Sequence, residues 1–546
     1  MGKRCVSRDW LPPLCLAVLA AAVVAVMIIR FQAAAAPLER DEGEYALMGQ
    51  LILDGTPPYL EAANMKFPGT YYAYAAILAV FGQTATGVHM GLLAVNLLST
   101  VILYLLARPL LGAAGAALAG AAFIIMSSDI SVLGLAGHAT QFVVMFALAG
   151  IWLLQQSSNS KRRMPLLWGS GLCLGLALLM KQPGVFFALF GFLWVLYRAL
   201  RRRPISWKRL LLESGSLAGG IVLPCAVVLA LMAHQGVLDR FWFWTVDYAG
   251  AYATEMDLKR GIVHFQVEFI PIFKHNPAIW SIAFAGMIGI WCTESGRKVA
   301  PFLLALFFFS FLAVCPGLIF RSHYFVQLLP ATALYAGAAA WALEKAAARY
   351  TAKSKAIQFV MIVAVVGSSL TGAFFTWRII AALTPEQFSH WVYGPNPFAE
   401  SAKVAAYIKK NTKPEDRIAV MGSEPEICFY AHRKPATEYM YMFALMEPQP
   451  FALRMQEEMI AQVEKSEAPF LVLLTSSNSW LEWPEYEKKV FPWLVGYINN
   501  YYQPVIVAYI YPDPDRDVWL MAKEGDRFPE RPGSSLLIVH KRKTAK

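Results

Sequence analysis

The chain is 546 residues long, 57% hydrophobic and only 16% charged, with a mean hydropathy of +0.45. That composition excludes a soluble globular protein of this size and points to a polytopic membrane protein. The net charge of +11 resides in short basic clusters between apolar runs, the footprint of membrane topology, and no nucleic-acid partner is expected. Seven scattered cysteines form neither a disulfide framework nor a zinc pattern.

The chain opens on a basic stretch, 1 to 8, followed by an apolar run from 11 to 29 and then four alanines, 33 to 36. The run is longer than a signal-peptide core and long enough to span, so an uncleaved signal anchor is expected. Arg40-Asp41-Glu42-Gly43-Glu44-Tyr45 follows at once. Three carboxylates within four positions at the mouth of a span add nothing to packing and are costly near lipid. Asp41, Tyr45, Met48 and Ile52 recur at helical spacing up to the stop signal Gly55-Thr56-Pro57-Pro58, which predicts an interfacial helix over 41 to about 54. On that helix Asp41 shares the apolar stripe with Tyr45 and points inward, while Glu42 and Glu44 lie round the axis.

Spans are predicted at about 11–29, 87–106, 113–127, 138–155, 165–180, 184–199, 214–234, 278–293, 300–316, 323–345 and 357–378, eleven in all. The short run 70–81 is read as interfacial or re-entrant. If it crossed, the basic loop Lys161-Arg162-Arg163 would fall outside, against the rule that such loops are cytoplasmic. The N-terminus is then expected to be cytoplasmic and everything beyond 380 to lie on the outer face of the membrane. That face collects Lys66, Asp129, His138, Lys181, Arg321, His323 and Tyr324, together with a long loop, 234 to 276, carrying Arg260 and His264. The loop's Phe241-Trp242-Phe243-Trp244 is read as an aromatic belt at the interface. Its dense mixed charges suit a phosphate head group.

Beyond 380 the pattern changes to a small α/β domain, 381–546. Helices are expected at 398–410 and 449–465, and strands at 417–421, 470–475, 504–511 and 535–540. Met421-Gly422-Ser423-Glu424 has a single glycine and makes no phosphate loop. The expected fold class is a polytopic α-helical membrane protein, residues 1–380, with a C-terminal soluble α/β domain.

These parts suffice for a group transfer from a membrane-embedded phosphosugar. Lys66, Arg321, His323, Lys181 and Arg260 would hold the phosphate as charge develops on it. Asp41, with Glu42 and Glu44 beside it, would take the proton from an acceptor hydroxyl, and one displacement inverts the anomeric centre. A second carboxylate acting as nucleophile would give retention instead. Tyr45, Asp129, His138 and Tyr324 would line the acceptor cavity. Two other readings remain: a lipid-linked saccharide flippase or transporter, and a non-catalytic envelope assembly protein.

Asp41-Glu42-Gly43-Glu44-Tyr45 followed by Asn64-Met65-Lys66-Phe67-Pro68-Gly69 resembles the signature of the C-type membrane glycosyltransferases of the protein mannosyltransferase and aminoarabinose transferase group. The architecture of roughly the first 380 residues agrees with that resemblance, and the motif match is confined to the first outer loop. The resemblance implies a polyprenyl-phosphate sugar donor, a site facing the periplasm, Asp41 as the reacting acid and Lys66 as a phosphate ligand. Sugar and acceptor stay open. Where aminoarabinose transferases carry a glutamate before the lysine, this chain has Met65, with Glu61 nearby. A divalent metal ion is left open as cofactor, with Asp41 and His264 as its first candidate ligands. No Trp-Trp-Asp triplet of the oligosaccharyltransferases is present.

Overall fold

The computed structural model describes residues 11–253, 256–347, 376–481, 488–529 and 531–543. The chain divides into two compact units, each assembled from separated segments: 1–32, 92–227 and 256–378 in the first, 33–91, 228–255 and 379–546 in the second.

The helices in chain order are α1 (Leu11–Ala33), α2 (Arg40–Leu53), α3 (Gly69–Phe81), α4 (Ala85–Met126), α5 (Ala139–Gln156), α6 (Arg163–Met180), α7 (Val185–Leu200), α8 (Trp207–His234), α9 (Leu238–Trp242), α10 (Ala249–Ala253), α11 (Leu258–His275), α12 (Pro277–Gly289), α13 (Glu294–Val314) and α14 (Leu329–Ala347). Each of the first ten predicted spans falls on one of them; the eleventh, 357–378, lies almost wholly outside the described residues. The two runs at 87–106 and 113–127 belong to α4, which breaks at Gly112, where φ is +69°. Among the described residues, seven helices are long and apolar enough to cross a membrane, α12 is shorter, and α3 is a 13-residue apolar helix.

In the first unit small residues let the helices approach closely. A Cβ on Gly115 would meet the Gly337 carbonyl at 2.9 Å, and Cys15 of α1 is buried between Ala114 and Ala117 of α4. Ser170 Oγ of α6 donates to the Gly150 carbonyl of α5 at 2.7 Å. Two of the basic loops meet on one buried acid: Arg163 and Arg202 reach Glu213 at 2.9 and 3.3 Å, joined by Arg209 at 2.8 Å. They therefore lie at the same end of the bundle. Arg30, buried at the end of α1, donates to Ser128 Oγ and the Gly134 carbonyl.

The second unit is α/β. It continues with α15 (Pro385–Tyr393), α16 (Phe398–Lys410), β1 (Arg417–Met421), α17 (Glu426–Ala431), β2 (Lys434–Pro435), α18 (Phe443–Met446), α19 (Ala452–Ser466), β3 (Phe470–Leu474), α20 (Ser477–Trp480), α21 (Val490–Tyr501), β4 (Tyr502–Ile510), β5 (Val518–Met521) and β6 (Ser535–Arg542). The sheet order is β2-β1-β3-β6-β4-β5. β1 runs parallel to β2 and β3, with Ile418 opposite Phe470, and β6 pairs antiparallel with β3 and β4. The inner strands read as near-continuous apolar runs because both faces are covered, which is why the sequence exposes them. β2 and β5 are too short or too exposed to leave such a signal.

The same unit takes in α2, α3 and the segment around α9. Two expectations are corrected here. The predicted interfacial helix is buried from Glu42 to Leu51, since it packs against α3 and α17 rather than lying on a surface. The aromatic run is not simply a belt. Phe241 stacks on Phe67 and meets Tyr59 edge-on, and Trp244 meets Tyr439, so both are core, while Trp242 is exposed.

Candidate active site

α2 begins with a reciprocal capping box. The Glu42 N–H donates to the Glu39 carboxylate at 3.0 Å, and the Glu39 N–H donates to Glu42 Oε2 at 3.3 Å. Gly43 sits where α2 crosses α17. A Cβ there would lie 2.9 Å from the Glu426 backbone nitrogen, so glycine permits the approach. Gly49 does the same against Ala75 of α3. The helix is thereby held on two sides, and Asp41 and Glu44 face Lys66 in the loop between α2 and α3.

Inward aim is not confined to Asp41. Glu44 has no exposed side-chain surface and Glu42 almost none, whereas the Asp41 side chain is 23% exposed. The reason is that partners surround the helix. Lys66 Nζ donates to Glu44 Oε2 at 2.8 Å and to Asp41 Oδ1 at 3.1 Å. Asn64 Nδ2 adds a bond to Glu44 Oε2 at 2.9 Å, and Tyr71 OH one to Oε1 at 2.8 Å. Tyr441 OH shares its one proton between Asp41 Oδ1 at 3.1 Å and the Arg40 carbonyl at 3.0 Å. Tyr45 is buried beneath the ammonium, its ring centroid 4.6 Å from Nζ.

Burial works against the Lys66 charge, but Asp41 and Glu44 outweigh it and hold the pKa above the ordinary lysine value. Burial lifts the Glu44 carboxyl above the usual glutamate range, with Lys66 opposing and Asp41 reinforcing. Glu42 serves a different partner. His89 places Nε2 3.2 Å from Glu42 Oε1 and Nδ1 2.9 Å from the Ala34 carbonyl. With an acceptor at each nitrogen, the geometry needs a proton on both, or one on Glu42. Glu61 accepts a two-pronged bond from Arg417 at 2.6 and 2.8 Å, so its carboxylate is already matched to a guanidinium.

The first unit gathers a second set. His138 and His323 stack with centroids 3.9 Å apart, His323 meets Tyr324 edge-on at 4.8 Å, and Lys181 Nζ stands 3.8 Å over the Tyr324 ring. Thr140 Oγ1 fixes this turn by donating to the His323 carbonyl at 2.9 Å. Asp129 caps a turn through the Ser131 N–H at 2.8 Å and also accepts from Asn276 at 3.0 Å and His275 at 3.3 Å. Burial would raise the Asp129 carboxyl, but His275 and Ser131 hold it below the usual range, and Asp129 in turn raises His275. Arg321 is exposed near Glu268, which burial raises above its ordinary value against that arginine's pull. Arg260 is exposed and paired with Asp257 at 3.3 Å. His264 lies exposed on α11 and joins no group of three metal-ligating side chains among the described residues.

Sequence reasoning assembled Asp41, Glu44 and Lys66 but missed Tyr71, His89 and Tyr441. His89 carried a signal, an ionisable side chain at the head of an apolar run. Tyr441, 400 residues from Asp41, carried none.

The chain has the fold of the C-type membrane glycosyltransferases, with an acid–lysine pocket at the head of its first loop helix, and its resemblance to that class stands. Residues 65–242 match the family model of dolichyl-phosphate-mannose-protein mannosyltransferases. An undecaprenyl phosphate-α-4-amino-4-deoxy-L-arabinose arabinosyl transferase of Pseudomonas paraeruginosa is 30% identical over 220 residues, 37% of this chain and 38% of that protein. The aligned region thus spans under two fifths of that relative's length. The crystal structure of apo ArnT from Cupriavidus metallidurans superposes with a TM-score of 0.56 at 14% identity, covering 95% of this chain and 97% of that one. The oligosaccharyltransferase of Archaeoglobus fulgidus, tethered to an acceptor peptide, gives 0.51 at 13% identity, covering 95% and 74%.

Proposed function

We propose that this protein is an integral membrane glycosyltransferase. It moves a pentosyl or hexosyl group from a polyprenyl-phosphate donor to an acceptor on the outer face of a bacterial inner membrane, with 381–546 as an exofacial domain and the N-terminus cytoplasmic. The carrying observation is the pocket in which Asp41, alone among the three loop acids, keeps solvent access while Lys66 and Tyr441 fix one of its oxygens. A carboxylate held this way can accept a hydroxyl proton at a defined place. Glu44 anchors Lys66 and Glu42 pairs with His89, so both act as positioning residues. An ammonium has three N–H donors. Two of those on Lys66 go to Asp41 and Glu44, and the third is the one for a donor phosphate. Lys181, Arg321, His323 and Arg260, read from the sequence as further phosphate ligands, and Asp129, His138 and Tyr324, read as cavity residues, belong to the first unit, so the proposal rests on the pocket of the second unit alone.

The relatives support the donor class of this reading. One is named as acting on an undecaprenyl-phosphate aminoarabinose, and an ArnT crystal structure contains undecaprenyl phosphate. The test is release of polyprenyl phosphate from labelled pentose and hexose donors by the protein in liposomes. Release with at least one donor is expected. Donor that changes leaflet with its sugar still attached would replace this reading with transport.

A further inference from the structure

Three elements of the α/β part bring together a second ionisable group that the transfer reaction does not use. His390 ends α15, whose start is set by a capping box between Thr384 and Gln387 with Pro385 at the first helical position. Glu400 lies in the first turn of α16, and Asp517 precedes β5. One ligating atom from each lies within 4.8 Å of the other two. His390 Nε2 stands 3.2 Å from Glu400 Oε1, and their side chains are 0% and 1% exposed. Asp517 is steered by the Tyr511 N–H, which donates to its Oδ1 at 2.8 Å.

The chain does not complete this group. Glu400 Oε2 and His390 Nδ1 are buried without a well-formed hydrogen bond, the Asp517 carboxyl facing Glu400 and the Tyr511 backbone facing His390, and neither of the two acids is ion-paired to a lysine or arginine among the described residues. The Asp517 and Glu400 carboxyls share one small space, an oxygen of each lying within 4.8 Å of the other and of a His390 nitrogen. Two carboxyls facing each other, one of them fully buried, are neutralised either by a shared proton or by a cation between them.

We propose that His390, Glu400 and Asp517 form a binding site for one divalent transition-metal ion of the zinc class. Imidazole nitrogen and carboxylate oxygen are the donors such an ion takes, at roughly 2.0–2.2 Å, which places tetrahedral ligand atoms about 3.4 Å apart. The His390–Glu400 separation of 3.2 Å already matches that edge. Two carboxylates balance the ion's charge, and the Tyr511 N–H supplies the outer contact that orients one of them. Three protein ligands leave a fourth position for water or an external group. Because the ion joins α15, α16 and the β5 edge, it would brace the domain independently of sugar transfer.

The experiment uses the full-length protein in detergent, stripped with chelator and titrated with Co2+. The visible d–d absorption of four-coordinate cobalt is read for wild type, Asp517→Asn and His390→Ala, with tryptophan fluorescence confirming the fold. Asp517 is only half-buried, so its asparagine variant keeps the shape with little folding risk. Wild type is expected to take up one equivalent, and each variant to lose that equivalent or bind it at least tenfold more weakly. Zn2+ should raise the unfolding temperature of wild type and leave Asp517→Asn unmoved. No uptake by wild type would show that a shared proton alone neutralises the pair and overturn the proposal. So would an unchanged spectrum and stoichiometry in both variants, which would place the metal elsewhere.

Discussion

Glu44 and Glu400 are both withdrawn from solvent, and the chain answers the two burials in opposite ways. Around Glu44 it supplies three donors, one of them a cation, so that the carboxylate is held in one orientation. Around Glu400 it supplies one imidazole and a second acid, and leaves an oxygen without a donor. A carboxylate completed by its own chain becomes a rigid part of a site, whereas one left incomplete is shaped for something brought from outside.

Lys66→Met breaks the comparison most severely. Removing the cation takes the counter-charge from Glu44 and Asp41, whose remaining donors are neutral, and should cost about 3–5 kcal/mol. The check is thermal unfolding in detergent with chelator present. Under the same conditions Glu400→Gln should stay within ~1 kcal/mol of wild type, because it removes a charge that faces another acid. Equal losses in the two variants would erase the distinction. Gly43→Ala should come next, at about 2 kcal/mol, since the new methyl must displace α17 backbone from the helix that carries Glu44. Tyr71→Phe takes one donor from Glu44 and leaves Lys66 and Asn64, a loss of about 1.5 kcal/mol by the same assay.

The smallest effect is a pH dependence. Arg417 holds Glu61 below its ordinary value of 4.5. Its stabilisation is therefore present above that value and is lost as pH falls through the lowered folded-state value. Glu61→Gln should flatten the acid limb of an unfolding-temperature profile and leave the alkaline limb unchanged.

Much of this architecture is legible in the sequence because it is written in local periodicity. The helix over 398–410 and the strand over 417–421 emerge at their expected bounds, and the other predicted strands lie within two residues. The acidic loop and Lys66 are legible as a chemical anomaly beside a span. The depth of Glu42 and Glu44 is not, because it depends on α17, on Asn64 in the loop, on Tyr71 of α3 and on His89 of α4, which meet α2 only through tertiary packing. Nor does any local pattern announce His390, Glu400 and Asp517, which come from three elements, one of them more than a hundred residues away. The small edge strand β5 was missed for a related reason: its side chains are mostly exposed and leave no apolar run.

The central claim is that Asp41 removes the acceptor proton. The direct measurement is sugar transfer from a polyprenyl-phosphate donor by wild type and by Asp41→Asn, at matched expression and unfolding temperature. Asparagine keeps the shape and can still take bonds from Lys66 and Tyr441, but it is not a base. The account predicts a loss of about two or more decades in the transfer rate with donor affinity nearly unchanged. An Asp41→Asn variant that transfers sugar as fast as wild type would contradict it.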